Sequence, residues 1–281
     1  MKLGMVMPLW GRAELARLTL RRAAVEAEAA SVPVTLVAVT DEWINGDIAC
    51  YYGFEVVSAP NSPLSDKKNA GVIHLRGRVD GVVFLGSDDW ATGTSAPNFF
   101  DKWAEVLEEH AAFGPLDLWY ADLETGNGLY SAGYPSGPRH HEPVGAARAL
   151  RADVLDLVGW APRPSGMRSS HDGAMKTLLL SHGVDICKPR LTQDELGVRI
   201  VDIKSETSVT SFGLLSTLRN DPRKWRTVFA PFPEEEVIDL ETLVGPTFST
   251  RDGKRGKRKR SGTEQPLDEE TLRRLRRRRN R

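Results

Sequence analysis

Short, uninterrupted apolar runs limit what this chain can fold into. Residues 3–7, 32–39 and 82–85 are built almost entirely from Leu, Val, Met, Ala, Phe and Thr, with apolar residues at both odd and even positions. Each run is too short for an independent helix and rich in strand formers, so each reads as a strand buried on both faces. Strands of that kind belong to parallel sheets covered by helices on either side. Residues 12–30, between the first two runs, carry Leu15, Leu18, Ala23 and Val25 among charged residues, an amphipathic helix. The chain therefore opens with a β-α-β unit.

The same logic extends along the sequence. A short helix is expected over 47–52 and a strand over 54–58, followed by a helix over 67–76 capped by Ser65 and Asp66. After the run at 82–85, residues 97–109 read as a second amphipathic helix (Phe99, Phe100, Trp103, Val106, Leu107). Residues 116–121 and 128–134 read as strands or a hairpin turning at Gly126-Asn127. A strand over 145–150, helices over 151–158 and 172–182, a strand over 200–203 and a partly helical stretch over 212–225 complete the pattern. No repeat of 20 to 50 residues is present. The expected class is α/β, with a mostly parallel central sheet flanked by helices.

With 281 residues, 40% of them hydrophobic, the chain can bury a large core and still carry an extension. No stretch approaches eighteen consecutive apolar residues, and residues 1–10 lack a signal-peptide pattern, so a soluble, unexported, cytoplasmic protein is expected. Cys50 and Cys187 have no partner spacing and read as buried free thiols rather than a zinc site or a disulfide. The formal net charge of zero conceals a division. Residues 250–281 hold 14 Lys/Arg against 5 Asp/Glu, and residues 1–249 hold 24 against 33. An acidic body thus precedes a basic tail, a pattern that points to a polyanionic partner. These shifts suggest a main domain over 1–212, a helical extension packing on it over 213–249, and the tail.

Asp88 and Asp89 follow the apolar run at 82–85 directly. In open α/β sheets, ligands bind beyond the carboxyl ends of the strands. Adjacent carboxylates there are costly unless a cation neutralises them. Hard oxygen donors without neighbouring Cys or suitably spaced His suit Mg²⁺ or Mn²⁺, ions that complete their shells with water and substrate phosphates. The alternative is an Asp pair that merely caps the next helix. Lys67 and Lys68, in a first helical turn where cations are disfavoured, fit an anion sharing that site as well as they fit a solvated surface pair. Lys204, after the strand at 200–203, could reach a diphosphate. His140 and His141 lie in a Gly/Pro-rich loop that could border a groove, though solvated histidines account for them too. Ser170-His171-Asp172 is no triad, because consecutive residues at a helix start point in different directions. Neither a phosphate loop of the GxxxxGK[ST] kind nor a GxGxxG after a strand is present, which weighs against NTPases and dehydrogenases.

Taken in order, several motifs resemble the family 2-like glycosyltransferases of the GT-A fold. They are the strand ending at Met7-Pro8 with the helix led by Arg12, the stretch Lys67-Lys68-Asn69-Ala70-Gly71, and Val83-Phe84-Leu85-Gly86-Ser87-Asp88-Asp89. A later segment, from Gly145 to Gly159-Trp160 and then His171-Asp172-Gly173-Ala174, resembles that family's acceptor-side half, so the resemblance spans about residues 1–210. It implies transfer of a sugar from a nucleotide-sugar donor to an acceptor hydroxyl with help from Mn²⁺ or Mg²⁺. Pro8, Arg12, Asp41, Lys68, Asn69, Ser87, Asp88 and Asp89 would contact the donor, Asp88 as metal ligand and Asp89 in support. In the family, the acidic motif begins with an acid that lies near the nucleotide ribose; here that position is Gly86, which departs from the pattern. The resemblance also places the general base at Asp172, an acid that could equally cap its helix.

The tail bears on the acceptor. Residues 246–262 are dominated by Gly, Lys, Arg and Ser and are expected to be disordered in isolation. Residues 266–279, with acids in the first turn and arginines in the last, are expected to form a marginal helix. Lys254, Arg255, Lys257, Arg258, Lys259 and Arg260 could neutralise nucleic-acid phosphates, so the expected acceptor is DNA bearing a hydroxylated base, as in the DNA-modifying glycosyltransferases of bacteriophages, which would place the protein in the host cytoplasm. The alternatives are a protein or glycan acceptor, and a non-catalytic nucleic-acid-binding module on a degenerate transferase scaffold. On the DNA reading, a chain ending at residue 249 should lose most of its affinity for duplex DNA and flatten the dependence of that affinity on salt. Fluorescence anisotropy across a salt series checks this.

Overall fold

The computed structural model describes residues 1–94, 98–134, 136–137, 139–205, 208, 212 and 221–244; the stretch 213–220 and the whole basic tail, with Lys254, Arg255, Lys257, Arg258, Lys259 and Arg260, lie outside the described residues. The opening β-α-β unit forms as expected: β1 (Leu3–Pro8), α1 (Ala13–Glu28) and β2 (Val34–Val39), with β1 and β2 parallel and Leu3 opposite Val34. Next come α2 (Trp43–Tyr51), β3 (Glu55–Val57), α3 (Leu64–His74) and β4 (Gly81–Phe84). β3, β2, β1 and β4 lie side by side in that order, all parallel. β9 (Ala149–Arg151) adds antiparallel to β4, and β6 (Ala112–Phe113) closes the sheet beside β9. The fold is α/β, with a mostly parallel central sheet flanked by helices.

Both faces of this sheet are covered, which is why its strands are apolar at every position. Leu3, Met5 and Met7 face Ala16 and Leu20 of α1 and the aromatic residues Phe99, Phe100 and Trp103 of α4 (Phe99–Glu109). Val6, Val37, Val39, Val82 and Phe84 face the opposite way, toward Val72 of α3, Leu155 of α5 (Ala152–Leu157) and Met175 and Leu179 of α6 (His171–Ser181). Asn98 caps α4, its side chain accepting from the Phe100 and Asp101 amides.

A second sheet was not foreseen as such. β5 (Asp89–Gly93) starts within the acidic turn and pairs antiparallel with β10 (Val198–Lys204), which follows the short helix α7 (Gln193–Leu196). β10 runs parallel to β7 (Leu118–Asp122), and β7 forms the expected hairpin with β8 (Asn127–Ser131). β11 (Asp221–Lys224) joins β8 at the edge, so the end of the stretch 212–225, expected to be partly helical, is a strand. α8 (Trp225–Val228) and α9 (Glu234–Glu241) follow, and together with Trp90 of β5 and Leu15 and Leu18 of α1 they close a third core through Trp225, Phe229, Phe232 and Leu240.

Two smaller expectations change. α3 starts at Leu64, so Ser65 and Asp66 lie inside it instead of capping it; the Ser65 hydroxyl accepts from the Met167 amide at 2.9 Å and ties α3 to the loop 158–170. Cys50 is exposed and Cys187 half-buried, both free, so neither is the buried thiol expected. Among the described residues no helix is long and apolar enough to cross a membrane.

α9 is fastened to α1 by ions in a dry setting. The Arg22 guanidinium donates to Glu26 at 2.6 Å and to Glu236 at 3.1 Å, and all three residues are buried. Removing the cation leaves two carboxylates with no ion partner among the described residues, a change of the class that costs about 3–5 kcal/mol. R22M should therefore lower the melting temperature by roughly 6–15 °C. Differential scanning calorimetry provides the check.

Candidate active site

The crossover between the sheets builds the site. After β4 the chain leaves the first sheet through Leu85, Gly86, Ser87 and Asp88, and at Asp89 it enters β5. Asp202 of β10 stands opposite Asp89 in the antiparallel register, and the Ile203 amide donates to the Asp88 carbonyl at 2.8 Å. Three carboxylates from two distant segments of the chain therefore converge: Asp88, Asp89 and Asp202 each bring an oxygen to within 4.8 Å of the others. Burial, reinforced by Asp202 and Asp88, pushes the Asp89 carboxyl well above its ordinary range. Burial also raises Asp202, against the pull of Lys204, which donates to it at 2.6 Å. One oxygen of Asp202, Oδ1, is buried without a hydrogen-bond partner among the described residues. An orphaned carboxylate oxygen facing two other acids is a donor set that fits a hard divalent cation.

Two cations flank the acids. Arg12, in the left-handed region (φ 48°) at the start of α1, reaches Asp88 Oδ2 at 2.8 Å and Ser87 Oγ at 2.9 Å. Lys204 lies 5.5 Å from the centre of the Tyr120 ring. Gly86 gains a physical explanation here. Its amide donates to Asp89 Oδ2 at 2.5 Å, and a Cβ at this position would lie 2.8 Å from Asp88 Oδ1 and 3.0 Å from Asp89 Oδ2. The acids occupy the space a side chain would need.

These groups line a cleft of about 820 Å³, within the range of small-molecule sites. Pro8, Arg12, Lys68, Ser87, Asp88, Asp89 and Asp172 all line it, as do Asp202, Lys204, Tyr120 and Trp10. Asp41, exposed beyond β2, and Asn69 are not among the lining residues. Asn69 is buried and binds backbone, donating to the Arg163 carbonyl at 2.7 Å and accepting from the Arg163 amide at 3.3 Å. Lys67 is buried as well, donating to the Leu9 carbonyl and to Asn61. His140 and His141 stack on each other at 3.6 Å and do not line the cleft.

Asp172 faces the same cleft from the other side. It is the second residue of α6, whose first turn follows Ser170 in a left-handed conformation, and no side chain caps that helix. Its carboxylate packs on Gly145, where a Cβ would stand 2.5 Å from Oδ2. Burial alone would raise this carboxyl, but Lys68, Arg148, Arg163 and His171 outweigh it and hold Asp172 far below the usual carboxylate range. Burial, together with Lys68, pushes His171 down to about 4; burial, together with Arg163, brings Lys68 down to about 8. Lys68 Nζ and His171 Nε2 are 3.1 Å apart, a contact in which the ammonium donates to a neutral imidazole.

Sequence reasoning missed Asp202 and Arg163. Asp202 had a signal, a carboxylate within the apolar run Ile200-Val201-Asp202-Ile203, whereas its pairing opposite Asp89 depends on a strand whose start was hidden inside the acidic turn.

No protein-family model matches the chain, and no curated protein matches it. Several solved structures are similar to it over about three quarters of its length. Residues 1–349 of TarS from S. aureus are 13% identical, over 74% of this chain and 59% of that one, with a TM-score of 0.45. The synthetase for CMP:2-keto-3-deoxy-manno-octonic acid, complexed with CTP, is 15% identical over 78% and 97%, at 0.42. The catalytic domain of Drosophila beta1,4-galactosyltransferase 7, with xylobiose, is 11% identical over 74% and 66%, at 0.39. This chain therefore spans less than two thirds of the first and third. Likeness at this level assigns no chemistry.

The packing at Gly86 yields a direct test. If the three acids hold a divalent ion, G86A, by forcing Asp88 and Asp89 apart, should weaken Mn²⁺ binding by about tenfold or more, read by isothermal titration in the absence of any nucleotide.

Proposed function

We propose that this chain is a metal-assisted glycosyltransferase that moves a sugar from a nucleotide-sugar donor to an acceptor hydroxyl. The observation that carries the reading is the meeting of two kinds of acid in one cleft: the cluster of Asp88, Asp89 and Asp202 on one wall, and Asp172 on the other. A divalent ion held by the cluster would draw negative charge from a diphosphate leaving group. Arg12 and Lys204, fixed beside the cluster, add positive charge where that diphosphate would develop it. Tyr120 and Trp10 offer flat apolar surfaces to the donor.

Asp172 takes the proton of the acceptor hydroxyl as its oxygen attacks the anomeric carbon. The surrounding cations keep this carboxylate ionised but make it a weak base, so proton transfer is late, after the hydroxyl has begun to bond to carbon. A base on the face opposite the leaving group gives inversion of the anomeric centre. The charge division of the sequence supports a polyanionic acceptor, and within this reading the acceptor is a hydroxylated base in DNA, with the segment 250–281 on the phosphates.

The test is turnover of a nucleotide-sugar panel by the full chain with Mn²⁺, followed by nucleoside diphosphate release and by mass spectrometry of acceptors that include hydroxymethylpyrimidine DNA. D88N should abolish release. D172N should lower transfer about 10²–10⁴-fold while leaving donor affinity within a factor of two. Silence across the panel, with no donor binding, would sink the proposal and favour a non-catalytic module.

A further inference from the structure

Arg163 is a buried cation that does not line the cleft. It sits in the loop 158–170, with its side chain sealed from solvent. Its guanidinium lies 4.1 Å from the centre of the Phe84 ring, at the carboxyl end of β4. Asn69 of α3 holds its backbone from both sides, by the two hydrogen bonds to its amide and carbonyl. None of Nε, Nη1 and Nη2 has a hydrogen-bond partner among the described residues. A buried guanidinium with no such partner is expensive, and its placement calls for a compensating anion.

The anion is Asp172. Arg163 Nη2 stands 3.7 Å from Asp172 Oδ1, and that oxygen too is buried without a hydrogen-bond partner among the described residues. The pair is thus an ion contact held apart by its frame. Phe84 stops the guanidinium on one side, Asn69 fixes the loop, and Gly145 gives the carboxylate a floor with no side chain. Its other oxygen, Oδ2, lies against Gly145 on the wall of the cleft.

We propose that Arg163 is a positioning residue, the fixed counter-ion that keeps the Asp172 carboxylate ionised and aimed into the cleft. The charge balance rests on geometry alone; its catalytic meaning rests on the glycosyltransferase reading. Several other groups bear on the same carboxylate. Lys68 comes from α3, His171 from α6 itself, Arg148 from the segment before β9, and Arg139 and Tyr134 from the loop after β8. Of these, Arg148 spends its guanidinium on backbone carbonyls and Glu142, and Lys68 donates to His171. Among the cations of this group, Arg163 alone has a side chain with no hydrogen bond to another described residue.

The experiment reads Asp172 directly. In full-length protein labelled with ¹³C at aspartate Cγ, the Asp172 resonance is identified by its loss in D172N and titrated in wild type, R163K and R163M. Neutralising a cation this close should raise the Asp172 midpoint by about one pH unit or more in R163M, while R163K stays near wild type. An R163M midpoint within roughly 0.3 of wild type, small against the spread of about one unit among carboxylates in folded proteins, overturns the assignment and leaves Arg163 a packing residue on Phe84. If R163M fails to fold, R163Q carries the same comparison, since it removes the charge and keeps a polar head. Transfer is then measured across pH. A raised midpoint with an acid limb that moves to match supports both the counter-ion and the base. A raised midpoint in a chain that turns over no donor supports the counter-ion and rejects the transferase reading alone.

Discussion

The passage of the chain from one sheet to another at residues 85–89 is the constraint on which the rest depends. Three backbone hydrogen bonds fix it: Leu85 donates to Val6 in the first sheet, Ala147 to Phe84 beside it, and Ile203 to Asp88 in the second. Because both ends of the passage are locked to different sheets, the carboxylates of Asp88 and Asp89 are held close together. Their repulsion is borne by the fold and offset by Arg12 and Lys204. The cleft is the space left where two sheets diverge around that passage.

The two walls of the cleft solve the same electrostatic problem in opposite ways. On the acidic wall, carboxylates outnumber their nearest cations, so protons or a metal ion are needed, and burial pushes Asp89 and Asp202 toward the protonated form. On the opposite wall the imbalance is reversed. Asp172 meets Lys68, Arg148 and Arg163, and it stays ionised. On the proposed reading, a cation-deficient wall and a cation-rich wall would let a divalent ion and a proton acceptor sit close together without either claiming the other's partner.

Much of this was legible in the residues. The strands at 3–7, 32–39 and 82–85 announce themselves because a sheet buried on both faces needs apolar side chains at every position, and these runs are too short and too rich in strand formers for a buried helix. Asp88 was legible as an acid at the end of a buried strand, whereas Asp172 was singled out by the family resemblance and not by its position. What could not be read was pairing between distant segments. β5 begins at a charged residue and carries only Trp90 and Ala91 as strong apolar signals, so the acidic turn hid a strand. Without β5 there was no reason to place Asp202 beside Asp89. Asn69 shows the converse: its local motif pointed to the donor, while its side chain serves the loop that carries Arg163.

Asp89 and Trp90 are neighbours that point to opposite sides of one strand, the first into the cleft and the second into the core closed by Phe229 and Phe232, with its indole N–H on Thr19. A slip of one residue between β5 and β10 would trade them, placing an indole among acids and a carboxylate among aromatic rings. The buried Trp90 therefore acts as a keyway for Asp89. An aromatic core assembled by the last described helices of the chain sets the alignment of acids read from its first third.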